Sequence, residues 1–329
     1  MNKIRVAITG YGNLGQSAEI GIRQNPDMEL VGVFTRRNPD SIKLQTEGAK
    51  AYHIDEAENM TDKIDLMILC GGSKGDLPEQ GPQMASLFNT VDAYDTHALI
   101  PEYFAKMDKV SKSSNKVSVV ASGWDPGMFS INRLYGEVFL PQGKGYTFWG
   151  EGVSQGHSDA IRRVEGVVDG KQYTIPMEEA IKRVRNGEEP DLTNRERHLR
   201  ECYVVAQEGA DLKGIEEDIK TMPDYFADYN TIVHFVSQEE LDKNHAGISH
   251  GGFVIHSGTT GPNNENKQLT EYSIKLGSNS DFTANVLLAY GRAAYRLSKE
   301  GAYGAKTVLD IAPAYLSMNP VDDLRARLL

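Results

Sequence analysis

Gly10-Tyr11-Gly12-Asn13-Leu14-Gly15 spells G-x-G-x-x-G directly after the apolar run Ile4 to Thr9 and just before a helical stretch, Ser17 to Gln24. In that setting the three glycines have separate tasks: Gly10 allows a tight turn, Gly12 lets backbone approach a pyrophosphate, and Gly15 allows close helix–strand packing. N–H groups at the helix start would face the anion. A purely structural glycine turn is the alternative, and the strand–turn–helix context weighs against it. Cofactor choice is then read at the end of the second strand, where an NAD site usually carries an acid for the ribose hydroxyls. Here the chain reads Phe34-Thr35-Arg36-Arg37. One hydroxyl and two planar, charge-assisted donors suit a 2′-phosphate, so the expected cofactor is NADP. The alternative is a pair of solvated loop charges; Asp27 precedes the strand and is poorly placed to supply the missing acid.

Three more strand ends belong to the same expected crevice, because open parallel sheets bind ligands beyond their carboxyl ends. Cys70-Gly71-Gly72-Ser73 offers small residues against which a cofactor can lie, with Cys70 read as a small buried side chain rather than a nucleophile. Ala93-Tyr94-Asp95 and Ser122-Gly123-Trp124-Asp125-Pro126 complete the cofactor set, and each brings an aspartate just past a strand toward the nicotinamide end. Asp125 also fits a helix N-cap followed by proline at the first helical position.

These residues need a scaffold. Candidate strands are Ile4 to Thr9, Leu30 to Thr35, Leu66 to Cys70, Thr90 to Tyr94 and Val117 to Ala121, alternating with amphipathic stretches such as Ile100 to Ser113, which Pro101 opens. Asn25-Pro26 ends the first helix. After Gly123 the texture changes: Phe148 to His157 is glycine-rich, and strands recur at Tyr203 to Ala206, Thr231 to Val236, Phe253 to His256 and Glu271 to Leu276. A long amphipathic helix follows over Thr283 to Lys299. The expected fold class is α/β: a Rossmann-type doubly wound parallel sheet over residues 1–122, plus an α+β domain with a mostly antiparallel sheet over 123–289. The segment from about 290 to 329 is expected to pack back on the first domain.

The chain's 329 residues suit two domains of roughly 150 residues each. Lys plus Arg number 35 against 46 Asp plus Glu, a net charge of −11, which argues against nucleic acid or an anionic membrane as partner. Two cysteines, Cys70 and Cys202, are too few for a disulfide framework and suit a reducing cytoplasm. The first apolar run is cut off at Gly10, too short for a signal-peptide core, and no stretch approaches the ~18 apolar residues of a membrane span. No zinc-type ligand set is expected; His245 and His250 are poorly spaced for a helical metal pair.

Tyr11 to Gly15, Thr35-Arg36-Arg37, Gly123-Trp124-Asp125-Pro126-Gly127-Met128-Phe129-Ser130 and Phe148-Trp149-Gly150 resemble the meso-diaminopimelate dehydrogenase family. So do Ser154-Gln155-Gly156-His157-Ser158-Asp159-Ala160, Thr221-Met222-Pro223-Asp224-Tyr225-Phe226 and His250-Gly251-Gly252, in order across nearly the whole chain. Gly261 to Gln268 reads as longer than the family pattern. The resemblance implies a homodimer, with the second domain binding substrate and dimerising. It also implies NADP-dependent oxidative deamination at the D-centre of meso-2,6-diaminopimelate, giving L-2-amino-6-oxopimelate and ammonia; the reverse reaction serves lysine and peptidoglycan synthesis.

Carried over residue by residue, it places Asp95 and Asp125 near the reacting amino group as the catalytic candidates, and Trp124 and Trp149 as apolar walls. Thr174, Arg200 and His250 would bind the distant carboxylate, Asn279 would make a polar contact at that end, and Gln155 and Gly156 would line the wall between. Read without the resemblance, Arg200 is as well a surface charge and His250 a packed histidine. The proton acceptor stays open among Asp125, Asp95, His157 and water. Two other functions fit the fingerprint: an NADP-dependent amino-acid dehydrogenase or reductase of other specificity, and an NADP-sensing regulator, for which no basic DNA-contacting helix is seen.

Overall fold

The computed structural model describes residues 3–247 and 249–329, and the chain folds as two compact units, Met1–Ile131 with Ser280–Leu329, and Asn132–Asn279. The first unit begins with β1 (Ile4–Thr9), α1 (Asn13–Gln24), β2 (Met28–Thr35), β3 (Ala51–His53), β4 (Leu66–Leu69), α2 (Leu77–Ala85), β5 (Asn89–Asp92), α3 (Ile100–Ser113) and β6 (Val117–Val119). Helix α4 (Met128–Phe139) leads to β7 (Lys144–Trp149), β8 (Gly152–Val153), α5 (Gln155–Ile161), β9 (Val167–Pro176), α6 (Glu178–Arg185) and α7 (Asn194–Arg197). Next come β10 (His198–Ala206), α8 (Leu212–Thr221), β11 (Asn230–Phe235), α9 (Gln238–Asn244), β12 (His250–Thr260) and β13 (Asn266–Leu276). The chain closes with α10 (Asn279–Lys299), β14 (Gly304–Lys306) and α11 (Val321–Leu328).

In the first unit seven parallel strands lie in the order β14-β6-β5-β4-β1-β2-β3, so the winding reverses between β1 and β4. Ligands bind at that switch point, beyond the strands' carboxyl ends. Both sheet faces are covered, which is why β4 and the Val6-Ala7-Ile8 stretch of β1 read as unbroken apolar runs. Val6, Ile8, Leu66 and Ile68 belong to one core with Ile22 of α1 and Leu287, Tyr290 and Ala294 of α10. Ala7, Met67 and Leu69 belong to the other, with Leu77 and Met84 of α2 and Tyr103 and Met107 of α3. Helix α10 sits close because Gly291 has no side chain: a Cβ there would come 2.5 Å from Leu66 Cδ2.

In the first unit two strands escape the sequence pattern, and in the second β7, β8 and β9 lie outside the expected set. Strands β3 and β14 have three residues each and are sheet edges, too short to show an apolar period. The strands expected over Thr90 to Tyr94 and Val117 to Ala121 stop early, at Asp92 and Val119; Ala121 turns away with φ 53.

The second unit holds two sheets, β11-β10-β9-β8 and β13-β12-β7, antiparallel throughout except for the parallel pair β10–β11. Tyr146, Phe148 and Ile255 bury against Ala180, Ile181 and Val184 of α6, and Cys202 and Val204 against Ile215 and Ile219 of α8. The long stretch at Gly261 to Gln268 is the tip of the β12–β13 hairpin, whose ladder runs from His250↔Leu276 to Thr260↔Asn266. Among the described residues, no helix is long and apolar enough to cross a membrane, and no group of three or more His, Cys, Asp or Glu could hold a metal ion.

Candidate functional site

Strand β1 ends into the glycine loop. Gly10 has φ +89, and a Cβ on Gly15 would lie 2.2 Å from the Gly10 carbonyl oxygen, so α1 can close on the loop only without a side chain there. Gly12 differs: apart from its neighbours along the chain, nothing lies within 4 Å of where its Cβ would be. Its missing side chain serves no packing within the chain and keeps the loop's backbone open to approach. Helix α1 starts at this glycine with no side-chain cap and no acidic residue in its first turn, leaving the positive end of the helix to an anion.

Thr35 closes β2 and is buried; its Oγ1 accepts the Arg37 N–H at 3.1 Å. Arg37 Nη2 donates to the Tyr11 carbonyl at 2.9 Å, fastening the arginine turn to the glycine loop. Arg36 is 66% exposed and ion-paired with Asp76, whose other oxygen accepts the Gly72 N–H at 2.8 Å. The pair places Arg36 beside the loop after β4, and it gives this cation a partner that an incoming phosphate would have to share or displace. Cys70 is partly buried, and burial pushes its thiol up to about 12, which suits a packed side chain and not a nucleophile.

Asp95 is exposed, and its N–H donates to Ser73 Oγ at 3.0 Å, so the loops after β4 and β5 touch. Asp125 is half-buried and stands well beyond Val119, the end of β6, rather than just past the strand. Helix α4 begins only at Met128, so Asp125 is not its N-cap and Pro126 is not its first residue; the capping alternative is corrected. What shapes this segment is Gly127, with φ +134 and bridged to Gly123 and Trp124. A Cβ on Gly127 would lie 1.7 Å from the Gly123 oxygen. Trp124 is buried, edge-on to Phe129 at 5.2 Å.

In the second unit Gly152, Thr174 and Arg200 sit opposite one another across β8, β9 and β10. A Cβ on Gly152 would come 2.5 Å from His250 Cα, so glycine there lets His250 join the same row. Arg200 is 6% exposed; its Nη1 donates to Thr174 Oγ1, and its guanidinium lies 4.0 Å from the Tyr229 ring centroid. Its Nε has no hydrogen-bond partner, no carboxylate among the described residues pairs with it, and burial lowers its pKa. A buried cation in this state calls for an anion. Trp149 lies nearby: its N–H donates to His198 Nε2 at 2.9 Å, and the two rings stack at 5.2 Å. Gln155 and Gly156 are exposed at the start of α5, and Asn279 opens α10.

Residues 123–278 match the family described as diaminopimelic acid dehydrogenase C-terminal domain. The meso-diaminopimelate D-dehydrogenase of Acetivibrio thermocellus is 67% identical over 329 residues, covering 100% of this chain and 98% of that protein. The chain belongs to the meso-diaminopimelate dehydrogenase family. The Corynebacterium glutamicum member is 47% identical over 327 residues, 99% of each chain. A solved structure of the C. glutamicum diaminopimelate dehydrogenase in complex with diaminopimelate covers 100% of both chains, with a TM-score of 0.94 and 46% identity. An engineered D-amino acid dehydrogenase bound to NADP+ covers 100% of both, with a TM-score of 0.89 and 44% identity. The doubly wound sheet with a separate, mostly antiparallel domain is thus the fold of this family, as the sequence led one to expect.

For this family member the sequence reading missed the residues that hold the predicted ones. Glu19 is fully buried; it accepts the Tyr11 hydroxyl and the N–H groups of Gln45 and Thr46. Asp92, also fully buried, accepts the N–H groups of Tyr94 and Ala121, each at 3.0 Å, and the Tyr103 hydroxyl at 2.9 Å. Burial pushes Asp92 up to about 6. The signal was a lone acid inside an apolar run, as in Thr90-Val91-Asp92-Ala93.

Proposed function

We propose that this chain catalyses the NADP-dependent oxidative deamination of the D-centre of meso-2,6-diaminopimelate to L-2-amino-6-oxopimelate and ammonia, and the reverse reductive amination. The observation that carries the reading is Arg200, a buried guanidinium with an unpartnered Nε in line with Thr174 and His250. A substrate carboxylate at the end remote from the reacting carbon satisfies it, with Asn279 beside that end. Asp95 and Asp125 accept hydrogen bonds from the ammonium at the reacting end, and one of them takes the proton that must leave before the D-centre α-carbon can give up hydride; water then adds to the resulting imine and ammonia departs. Trp149 walls the aliphatic chain in the second unit, with Gln155 and Gly156 along the side, and Trp124 gives the reacting end an apolar border in the first.

NADP, when bound, supplies the hydride acceptor. The loop Gly10 to Gly15 and the uncapped start of α1 hold its pyrophosphate, and Thr35, Arg36 and Arg37 its 2′-phosphate. Cys70 to Ser73, Ala93 to Asp95 and Ser122 to Pro126 border its nicotinamide half. The same reading makes the protein a homodimer of the cytoplasm, which suits its two free thiols.

The test is initial-rate turnover with the meso and L,L isomers and with NADP and NAD. NADP reduction with the meso isomer alone is expected. A different amino acid reacting while the meso isomer does not would favour the broader dehydrogenase reading. In Arg200→Lys the planar fork over Tyr229 is lost. KM should rise by about 10-fold or more, as for a charged hydrogen bond of about 1.5–3 kcal/mol, with a smaller change in kcat. An unchanged KM would remove Arg200 from the site.

A further inference from the structure

Asp92 has no part in the chemistry above, yet it is a fully buried acid at the end of β5 on which five hydrogen bonds converge, counting two to its backbone carbonyl. One carboxylate oxygen accepts the Tyr94 N–H, next to Asp95, and the Ala121 N–H, at the head of the segment carrying Trp124 and Asp125. The other accepts the Tyr103 hydroxyl of α3, whose ring stacks on Tyr94 with centroids 4.1 Å apart. The Asp92 carbonyl accepts the Ser122 N–H at 3.0 Å and the Ser122 hydroxyl at 2.9 Å. Ala121 holds φ 53, a left-handed conformation that costs a residue with a Cβ and persists only where its surroundings fix it. The fastening is Asp92. An apolar side chain could fill the same space but could not receive those N–H groups.

We propose that Asp92 is a positioning residue: it sets the placement of Asp95 relative to the Trp124–Asp125 segment, with Tyr103 fixing its second oxygen. The proposal rests on the assignment of Asp95 and Asp125 to the reacting amine.

The experiment uses the full-length protein with meso-diaminopimelate and NADP, reading kcat, KM and, by fluorescence titration, the NADP Kd. Asp92→Asn keeps an oxygen for the Tyr94 and Ala121 N–H groups and an NH2 that can donate to Tyr103. Asp92→Ala keeps neither. Displacing reacting groups by about 1 Å costs on the order of 100-fold in rate, so kcat should fall by at least about 10-fold in Asp92→Ala. In Asp92→Asn kcat should stay near wild type, and the NADP Kd should change little in both. Tyr103→Phe, which takes the donor from the second carboxylate oxygen and leaves the two N–H bonds in place, should give a kcat loss between those two. A folded Asp92→Ala with wild-type kcat overturns the proposal, as does Asp92→Asn as impaired as Asp92→Ala. If Asp92→Ala does not fold, wild-type kcat in Tyr103→Phe overturns it. A wild-type protein inactive on the meso isomer removes the functional reading and this proposal with it; wild-type turnover with unaffected variants removes the proposal alone.

Discussion

His198 is held neutral, near 3, chiefly by burial and then by the Arg200 charge, and its Nε2 is engaged as acceptor for Trp149. Asp92 is displaced the other way, up to about 6. The two therefore bias stability in opposite directions over one pH range. An unfolded histidine takes its proton near 6.5, so the stability His198 contributes is complete above that pH and drains away as pH falls toward 3. For Asp92 the folded state binds the proton more tightly than the unfolded one. Its burial therefore costs most above pH ~6, and the cost is relieved as pH falls toward ~3.9. Urea unfolding at a series of pH values checks both. His198→Gln, which keeps an acceptor for Trp149, should flatten the loss of stability between pH 6.5 and 3. Asp92→Asn should gain on wild type as pH rises through about 6. Parallel pH curves for wild type and His198→Gln would show that His198 does not carry the acid sensitivity.

The strand–loop–helix unit β1–α1 separates two uses of glycine that look alike in sequence. Gly15 is demanded by the chain's own packing, since its Cβ would overlap the Gly10 oxygen at 2.2 Å, whereas Gly12 has open space and a backbone conformation, φ −91 and ψ −160, that alanine can adopt. Gly15→Ala should thus lower Tm and cofactor affinity together. Gly12→Ala should leave Tm of the free protein within a few degrees and weaken NADP binding, because on the proposed reading the added methyl would stand where the pyrophosphate approaches. Thermal unfolding with and without NADP distinguishes them, and a Gly12→Ala protein with wild-type NADP affinity would put the phosphates elsewhere. Local pattern made this element legible: the apolar run, the glycine spacing and the helix onset lie within consecutive residues. What stayed hidden depends on partners far along the chain. Arg36 meets Asp76 40 positions away, Asp92 meets Ala121 29 away, and Trp149 meets His198 49 away. No spacing rule reaches that far. Strands β3 and β14 were hidden for a different reason, being three-residue edges whose pairing is set by their neighbours.

At the scale of the whole molecule, charge and site pull against each other. The chain carries −11, and NADP carries several negative charges of its own, so out to about the ~10 Å Debye length of 0.1 M salt an approaching cofactor meets a repulsive field, which salt shortens. At the site proposed for it, it would meet Arg36, Arg37 and the start of α1, where charge-assisted donors dominate. These two regimes respond to salt on different rate constants. Screening the long-range repulsion should raise kon for NADP as ionic strength increases, the reverse of a steered encounter, while competition at the phosphates raises koff. Replacing Arg36 and Arg37 by glutamine makes the chain more negative by 2 and removes the short-range donors, so koff should rise at every salt concentration, with a much smaller effect on NAD. meso-Diaminopimelate, with two ammonium and two carboxylate groups, has no net charge for the field to act on, and its KM should stay nearly constant across the same series. Stopped-flow fluorescence from 10 to 300 mM salt, roughly 30 to 6 Å in Debye length, reads both constants. A kon for NADP that falls steeply with salt would mean that the local basic element reaches past the acidic surface and guides the cofactor in.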